Sequence, residues 1–317
     1  EPVDAALDLK QEIRNLCQQK NAVIMAHYYT DGAIQDLADF VGDSLALAQK
    51  AAKTTADIIV MCGVHFMGET NKILCPDKKV LVPDLNATCS LAESCPADRF
   101  EEFVKAHPQH TVISYVNTTA ATKALTDVVV TSSNAKQIVE SFSEDTPIIF
   151  GPDKNLGGYI NSVTGRNMLL WDGACHVHER FSVEKIIELK KQYPEAKILV
   201  HPECKGAVAK LADKVGSTAA LLKYAIEQPA KEYIVATESG ILHEMQKSCP
   251  DKTFIPAPPS DSNCACNECN YMRLITLEKL YNTLKYEWPE IEVDPAIAEK
   301  AIKPINKMLE ISEKLGL

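Results

Sequence analysis

The chain has 317 residues, 46% of them hydrophobic and 24% charged, the composition of an ordinary globular protein with ample core for one large domain or several small ones. A formal net charge of -10 excludes nucleic acid or an anionic membrane surface as the main partner, because both need a basic face. No run of about 18 apolar residues is available to span a bilayer, and the polar start at Glu1 has no secretory core.

The first segment runs from a helix over about Leu7 to Gln19 into the apolar strand Ala22 to Ala26, which ends at His27, Tyr28 and Tyr29. A helical pattern covers Ala33 to Val41, Gly42-Asp43-Ser44 is a helix-start signal, and a helix follows over Leu45 to Ala52. Strand Asp57 to Cys62 ends at Gly63, a helix lies near Glu69 to Leu74, and strand Lys79 to Val82 closes at Pro83. Short apolar strands alternating with helices predict a parallel sheet with crossover connections. The second segment repeats this grammar in strands Thr111 to Val116, Val128 to Thr131, Pro147 to Phe150 and Met168 to Trp171. The third repeats it in Lys197 to Val200, the Val215-Gly216-Ser217-Thr218 stretch, Tyr233 to Ala236 and Thr253 to Pro256. Beyond Trp288 the pattern reads as a helix over Pro295 to Lys303, an interruption at Pro304, and a helix over Ile305 to Leu315 that returns over the first segment.

The strand-end spacings also repeat. The intervals His27 to Ser44, Asn117 to Ser132 and His201 to Ser217 agree within two residues. Those from Ser44 to Gly63, Ser132 to Gly151 and Ser217 to Ala236 are equal, as are the following ones to Pro83, Trp171 and Pro256. Self-similarity at a fixed period is an internal triplication. The predicted fold class is therefore α/β, with three homologous three-layer αβα domains whose parallel sheets surround a pseudo-threefold axis. Their bounds fall at 1–86, 87–172 and 173–289, with C-terminal helices 290–317 packed on the first. Ligands bind beyond the carboxyl ends of strands in such sheets, which gathers His27, Tyr29, Ser44, Asn117, Ser132, His201, Glu203, Ser217 and Thr218 toward one central cavity.

Eleven cysteines, an odd number scattered along the chain, do not form the pattern of a secreted disulfide framework and predict a reducing, cytoplasmic setting. After the last strand of each copy comes a cysteine-bearing loop: Cys89, then Cys175 within WDGACHVHE, then Cys264, Cys266 and Cys269. Three such loops meeting on one axis would bring thiolates to a common point, which suits an iron-sulfur cluster. Zinc is the competing metal, although only Cys266 and Cys269 have its C-x-x-C spacing, and a metal-free redox loop is a third reading. Cys17, Cys62, Cys75, Cys204 and Cys249 lie in apolar patterns as packing residues, while Cys95 is less clearly assigned. His65, His107, His110 and His243 read as structural.

The ordered set AHYY, GDSL, GVHFMGETNKIL, ATCSL, YVNT, VVTSSNA, GPDKNLG, GACHVHE, VHPEC and VGST resembles the quinolinate synthase family from about Asn21 to the C-terminus. The resemblance implies a 4Fe-4S cluster held by three cysteines, here Cys89, Cys175 and Cys269, with one iron open and Cys266 as the alternative third ligand. It implies condensation of iminoaspartate with dihydroxyacetone phosphate to quinolinate, with loss of phosphate and water, in NAD biosynthesis. L-aspartate oxidase would supply the iminoaspartate. His27, His201 and Glu203 resemble the family's acid/base set, with Tyr29 and Tyr115 as hydroxyl donors. Ser44, Ser132, Ser217 and Thr218 offer hydroxyls near helix starts for anionic groups, against the plainer reading of N-capping. Asn117 adds a neutral polar contact, and His178 shapes the pocket beside the cluster. An iron-sulfur hydro-lyase explains the cysteines equally well but not the helix starts and tyrosines, and a redox or cluster-carrier protein predicts no acid/base set.

Overall fold

The computed structural model describes residues 2–261 and 267–317. The first sheet is built from α1 (Leu9–Lys20), β1 (Ala22–His27), α2 (Gly32–Leu37), β2 (Phe40–Gly42), α3 (Ser44–Lys53), β3 (Ile58–Cys62), α4 (His65–Leu74) and β4 (Lys79–Leu81). The second follows with α5 (Ser90–Glu93), α6 (Ala97–Lys105), β5 (Thr111–Tyr115), α7 (Ala120–Lys123), β6 (Val128–Val130), α8 (Ala135–Glu140), β7 (Ile148–Gly151), α9 (Lys154–Thr164) and β8 (Leu169–Leu170). The third has α10 (Val183–Gln192), β9 (Lys197–Val200), α11 (Gly206–Ala209), β10 (Lys214–Val215), α12 (Thr218–Glu227), β11 (Glu232–Ala236), α13 (Ile241–Ser248) and β12 (Thr253–Pro256). Helices α14 (Leu277–Tyr286) and α15 (Pro295–Leu315) end the chain.

The sheets have the orders β2-β1-β3-β4, β6-β5-β7-β8 and β10-β9-β11-β12, all parallel. The connectivity is thus the same three times, and the molecule consists of three αβα units. Strands covered on both faces need continuous apolar runs, and β3 (IIVMC) and β6 (VVV) are buried throughout.

One aspartate per unit ties each sheet together at its entry. Asp39 accepts from Ile24 N–H, Asp127 from Val112 N–H and Asp213 from Ile198 N–H, each at 2.8 Å. Their own backbone N–H groups return bonds of 2.9 Å to the carbonyls of Ile24, Val112 and Ile198. The loop therefore enters the outer strand in a fixed register against the central one.

Three expectations are corrected. The helical pattern over Ala33 to Val41 stops at Leu37, and Phe40–Gly42 is a strand paired with Met25–His27. Apolar residues in so short a run fit either period, and pairing with β1 decides the outcome. Pro304 does not interrupt the last helix: α15 is continuous over 21 residues, because the stripe Ala301, Ile305, Met308 and Ser312 stays buried on both sides of the proline. That helix packs mainly on β6, α7 and α8 of the second unit, touching α4 of the first, whereas the sequence reading lays it over the first. Asn134 Nδ2 donates to Ser312 Oγ at 2.9 Å and anchors it there. Instead α14 covers the first unit, against α1. No helix among the described residues is long and apolar enough to cross a membrane.

Candidate active site

His27 closes β1, Tyr115 closes β5 and His201 lies just past β9, each three residues beyond the amide that its unit's aspartate binds, so these three, and not Asn117 two residues further on, hold corresponding places at the carboxyl edges of their sheets. All three line one cavity. Both imidazoles are held the same way, with Tyr29 N–H donating to His27 Nδ1 at 3.1 Å and Glu203 N–H to His201 Nδ1 at 3.2 Å. An accepting Nδ1 puts the proton of a neutral imidazole on Nε2. Burial favours that neutral form, lowering His27 to about 4 and His201 to about 3 against the opposite pull of Glu203. The two rings are thus neutral N–H donors, and not imidazoles titrating at their ordinary value near neutral pH.

Around them runs a continuous polar chain drawn from all three units. Thr218 Oγ1 meets Tyr29 OH at 2.7 Å, Tyr29 OH meets Thr237 Oγ1 at 2.8 Å, and Thr237 Oγ1 meets His178 Nε2 at 2.9 Å. His178 Nδ1 lies 3.0 Å from Glu203 Oε2, and Tyr115 donates a short hydrogen bond to Glu203 Oε1. Burial alone would raise the Glu203 carboxyl, but His178, His201 and the bond from Tyr115 outweigh it and hold the group below the usual range. Glu203 is thereby a carboxylate at neutral pH. Burial also raises Tyr29 and Tyr115 well above the ordinary phenol value, so both stay protonated and able to donate.

The cysteines share a local frame. Cys89, Cys175 and Cys269 all line the cavity and are free thiols. Cys89 caps α5, Cys175 precedes the short turn His178–Arg180, and Cys269 precedes the turn Met272–Leu274. In each case the backbone N–H groups two and three residues on act on the sulfur: Leu91 and Ala92, Val177 and His178, Tyr271 and Met272. Burial dominates and raises all three thiols, Cys89 to about 12. Cys175, His178 and Glu203 additionally bring ligand atoms within 4.8 Å of one another, a set able to hold a metal ion. Cys264 and Cys266, the latter the alternative third ligand, lie outside the described residues.

Of the hydroxyl residues, Ser44, Ser132 and Thr218 reach the cavity wall, and Ser217 does not. Ser217 is the N-cap of α12, accepting from Ala220 N–H at 3.2 Å. Asp43, not Ser44, caps α3, which leaves Ser44 as its first residue. Ser132 does not begin a helix: it sits in a turn closed by Asn134 Oδ1 on Thr131 N–H at 2.7 Å, and its Oγ faces His201 Nε2 at 3.3 Å. Cys17, Cys62, Cys75, Cys95, Cys204 and Cys249 are buried, which also resolves Cys95 as packing.

Sequence reasoning missed Thr237 and Glu238, which follow β11 just as Tyr28 and Tyr29 follow β1. The strand-end rule that picked His27 would have found them. Glu238 Oε1 accepts from Cys269 N–H at 2.9 Å and from Arg273 at 3.0 Å, while Oε2 accepts from Gly240 N–H at 2.6 Å. Burial raises its carboxyl to about 7, with Arg273 opposing. It fixes the loop that carries the third thiol.

The family model described as Quinolinate synthetase A protein matches residues 11–310. A quinolinate synthase of Nostoc punctiforme is 57% identical over 306 residues, 96% of this chain and 94% of the relative. Those of Synechococcus sp. and Chloroherpeton thalassium are each 54% identical, over 98% and 99% of this chain and 97% and 98% of theirs. With nearly the whole length matched and three strand-end loops meeting at one cavity, the chain belongs to the quinolinate synthetase A family.

Proposed function

We propose that the chain condenses iminoaspartate with dihydroxyacetone phosphate to quinolinate, releasing phosphate and water, on a 4Fe-4S cluster held by Cys89, Cys175 and Cys269. The observation that carries the reading is that three free thiols, one from the strand-end loop of each copy, stand on the wall of one cavity, with two backbone N–H groups electrostatically favouring each thiolate. Such N–H groups favour thiolates and tune clusters, and three soft sulfurs suit iron-sulfur ligation better than the harder donors of a mononuclear site. A single metal on Cys175, His178 and Glu203 would compete for the atoms that already bond His178 to Glu203. When bound, the cluster supplies a Lewis-acidic iron with one position not taken by protein.

The remaining chemistry is proton transfer and anion binding. Glu203 is the base, because the bonds from Tyr115 and His178 keep it ionised in a buried place. Tyr29 and the Nε2–H groups of His27 and His201 donate to developing oxyanions of the substrates, while the Tyr115 hydroxyl stays on Glu203. The chain from Thr218 through Tyr29, Thr237 and His178 offers a relay by which a proton reaches or leaves Glu203. The starts of α3 and α12, at Ser44 and Thr218, present helix N-termini to carboxylates. The reaction is tested by supplying both substrates to cluster-loaded protein without oxygen and assaying quinolinate. None formed would end the proposal, and water elimination from a small hydroxy acid instead would favour a hydro-lyase.

A further inference from the structure

The substrates of the proposed reaction carry carboxylates and a phosphate, yet no lysine or arginine lines the cavity among the described residues. One ammonium stands just behind the wall. Lys123, at the end of α7, is fully buried and donates through Nζ to Val116 O at 2.7 Å and Thr118 O at 2.5 Å. The same Nζ lies 5.3 Å from the centroid of Phe66, a wall residue. Glu69 acts on it through space, but Glu69 Oε2 is taken by Ala120 N–H at 2.9 Å.

The two carbonyls flank Asn117, which lines the cavity and whose Oδ1 is buried with no hydrogen-bond partner among the described residues. Lys123 thus ties down the turn that presents Asn117. The first unit braces the corresponding turn with a neutral group: Gln35 Nε2 donates to Tyr28 O at 2.9 Å and Thr30 O at 2.8 Å. Bracing by itself therefore needs no charge. Burying an ammonium without a bonded carboxylate is costly, and burial accordingly pulls Lys123 down to about 7. At that value the amine is charged in only part of the molecules at neutral pH, and the charge it then carries is poorly screened and felt across the wall.

We propose that Lys123 is a positioning residue that both fixes Asn117 and places a positive charge behind it, so that the second unit receives the phosphate ester. This inference rests on the reaction proposed above. The test is Lys123→Gln, which keeps the neutral brace seen in the first unit and removes the charge. On cluster-loaded protein the KM for dihydroxyacetone phosphate should rise roughly tenfold and quinolinate should bind correspondingly weaker, the effect of losing one charge-assisted contact. Bound iron, melting temperature and the KM for iminoaspartate should stay near those of the parent. Unchanged KM for the ester and unchanged quinolinate affinity would overturn the proposal, since the residue would then be a brace alone. Should Lys123→Gln fail to fold, Asn117→Ala serves: it should raise the same KM, and an unaltered KM would overturn the proposal equally. If the parent itself forms no quinolinate, the reaction fails and not the assignment of Lys123.

Discussion

At the scale of single residues, the site works by removing water from groups whose usual behaviour depends on it. His27 and His201 lose their charge to burial, Tyr29 and Tyr115 keep their protons, and Glu203 alone is held ionised by what donates to it. Replacing Glu203 with Gln is expected to cut kcat by about 10²-fold or more while leaving bound iron in place, measured by quinolinate formation and iron analysis on the same preparation. Wild-type turnover would mean that the base is elsewhere. The thiols divide in the same way. Alanine at Cys89, Cys175 or Cys269 should abolish the visible absorption of the reconstituted cluster, whereas alanine at buried Cys249 should leave it intact; a retained cluster in any of the first three would remove that residue from the ligand set. The Cys249 thiol points to the Ala225 carbonyl, at 3.8 Å, and does not line the cavity.

At the scale of elements, the three units are copies in detail and not merely in outline. The aspartates Asp39, Asp127 and Asp213 make the same pair of bonds, one from the side chain and one from the backbone, to the second or third residue of the central strand. Asp127→Ala leaves Val112 N–H without its partner at the start of β5, and should cost about 1–3 kcal/mol in urea unfolding. Equal stability of the variant would show that water replaces the carboxylate. The aspartates also explain why β2 and β10 were not recognised as strands. Each is only two or three residues long, too short for periodicity to decide, and the aspartate just before each sets its register through a central-strand amide 15 residues earlier in the chain. The triplication held the missing information, because Val128 to Thr131 was read as a strand and its counterparts could have been aligned to it.

At the scale of the molecule, the site exists only where the units meet. Gly240 shows how closely: a Cβ there would lie 2.7 Å from Tyr29 Cα and 2.8 Å from the Tyr28 carbonyl, so the loop after β11 rests directly on the end of β1. Burying histidines at this junction makes the fold sensitive to acid. For His27, with an ordinary value of 6.5 lowered to about 4, both folded and unfolded states are neutral above pH 6.5, and the contribution to stability is then complete. Between pH 6.5 and about 4 the unfolded chain binds a proton that the folded one refuses, so stability falls as pH falls, by at most about 3 kcal/mol from this residue. His27→Gln should therefore lose less stability than the parent between pH 7 and 4.5 in urea titrations of metal-free protein. Equal losses would place the acid sensitivity in other groups.

The number of units, the parallel sheets, and the carboxyl edge at which the candidate residues gather were legible in the chain before any tertiary contact was known. These follow from local apolar runs and from spacing, and each unit repeats them independently. The selection of Cys89, Cys175, His27, Tyr29, His201 and Glu203 needed only the rule that loops after strands carry function. Tertiary structure alone decided the rest, because it depends on groups far apart in the chain. Ser217 turned from the cavity into a cap, α15 went to the second unit where Asn134 receives Ser312, and the histidines became neutral donors through burial that no strand-end position reveals. Thr237, Glu238 and Lys123 entered the account for the same reason: their partners, Tyr29 and His178, Cys269 and Arg273, Val116 and Phe66, become neighbours only when the units close on one another or a loop folds back.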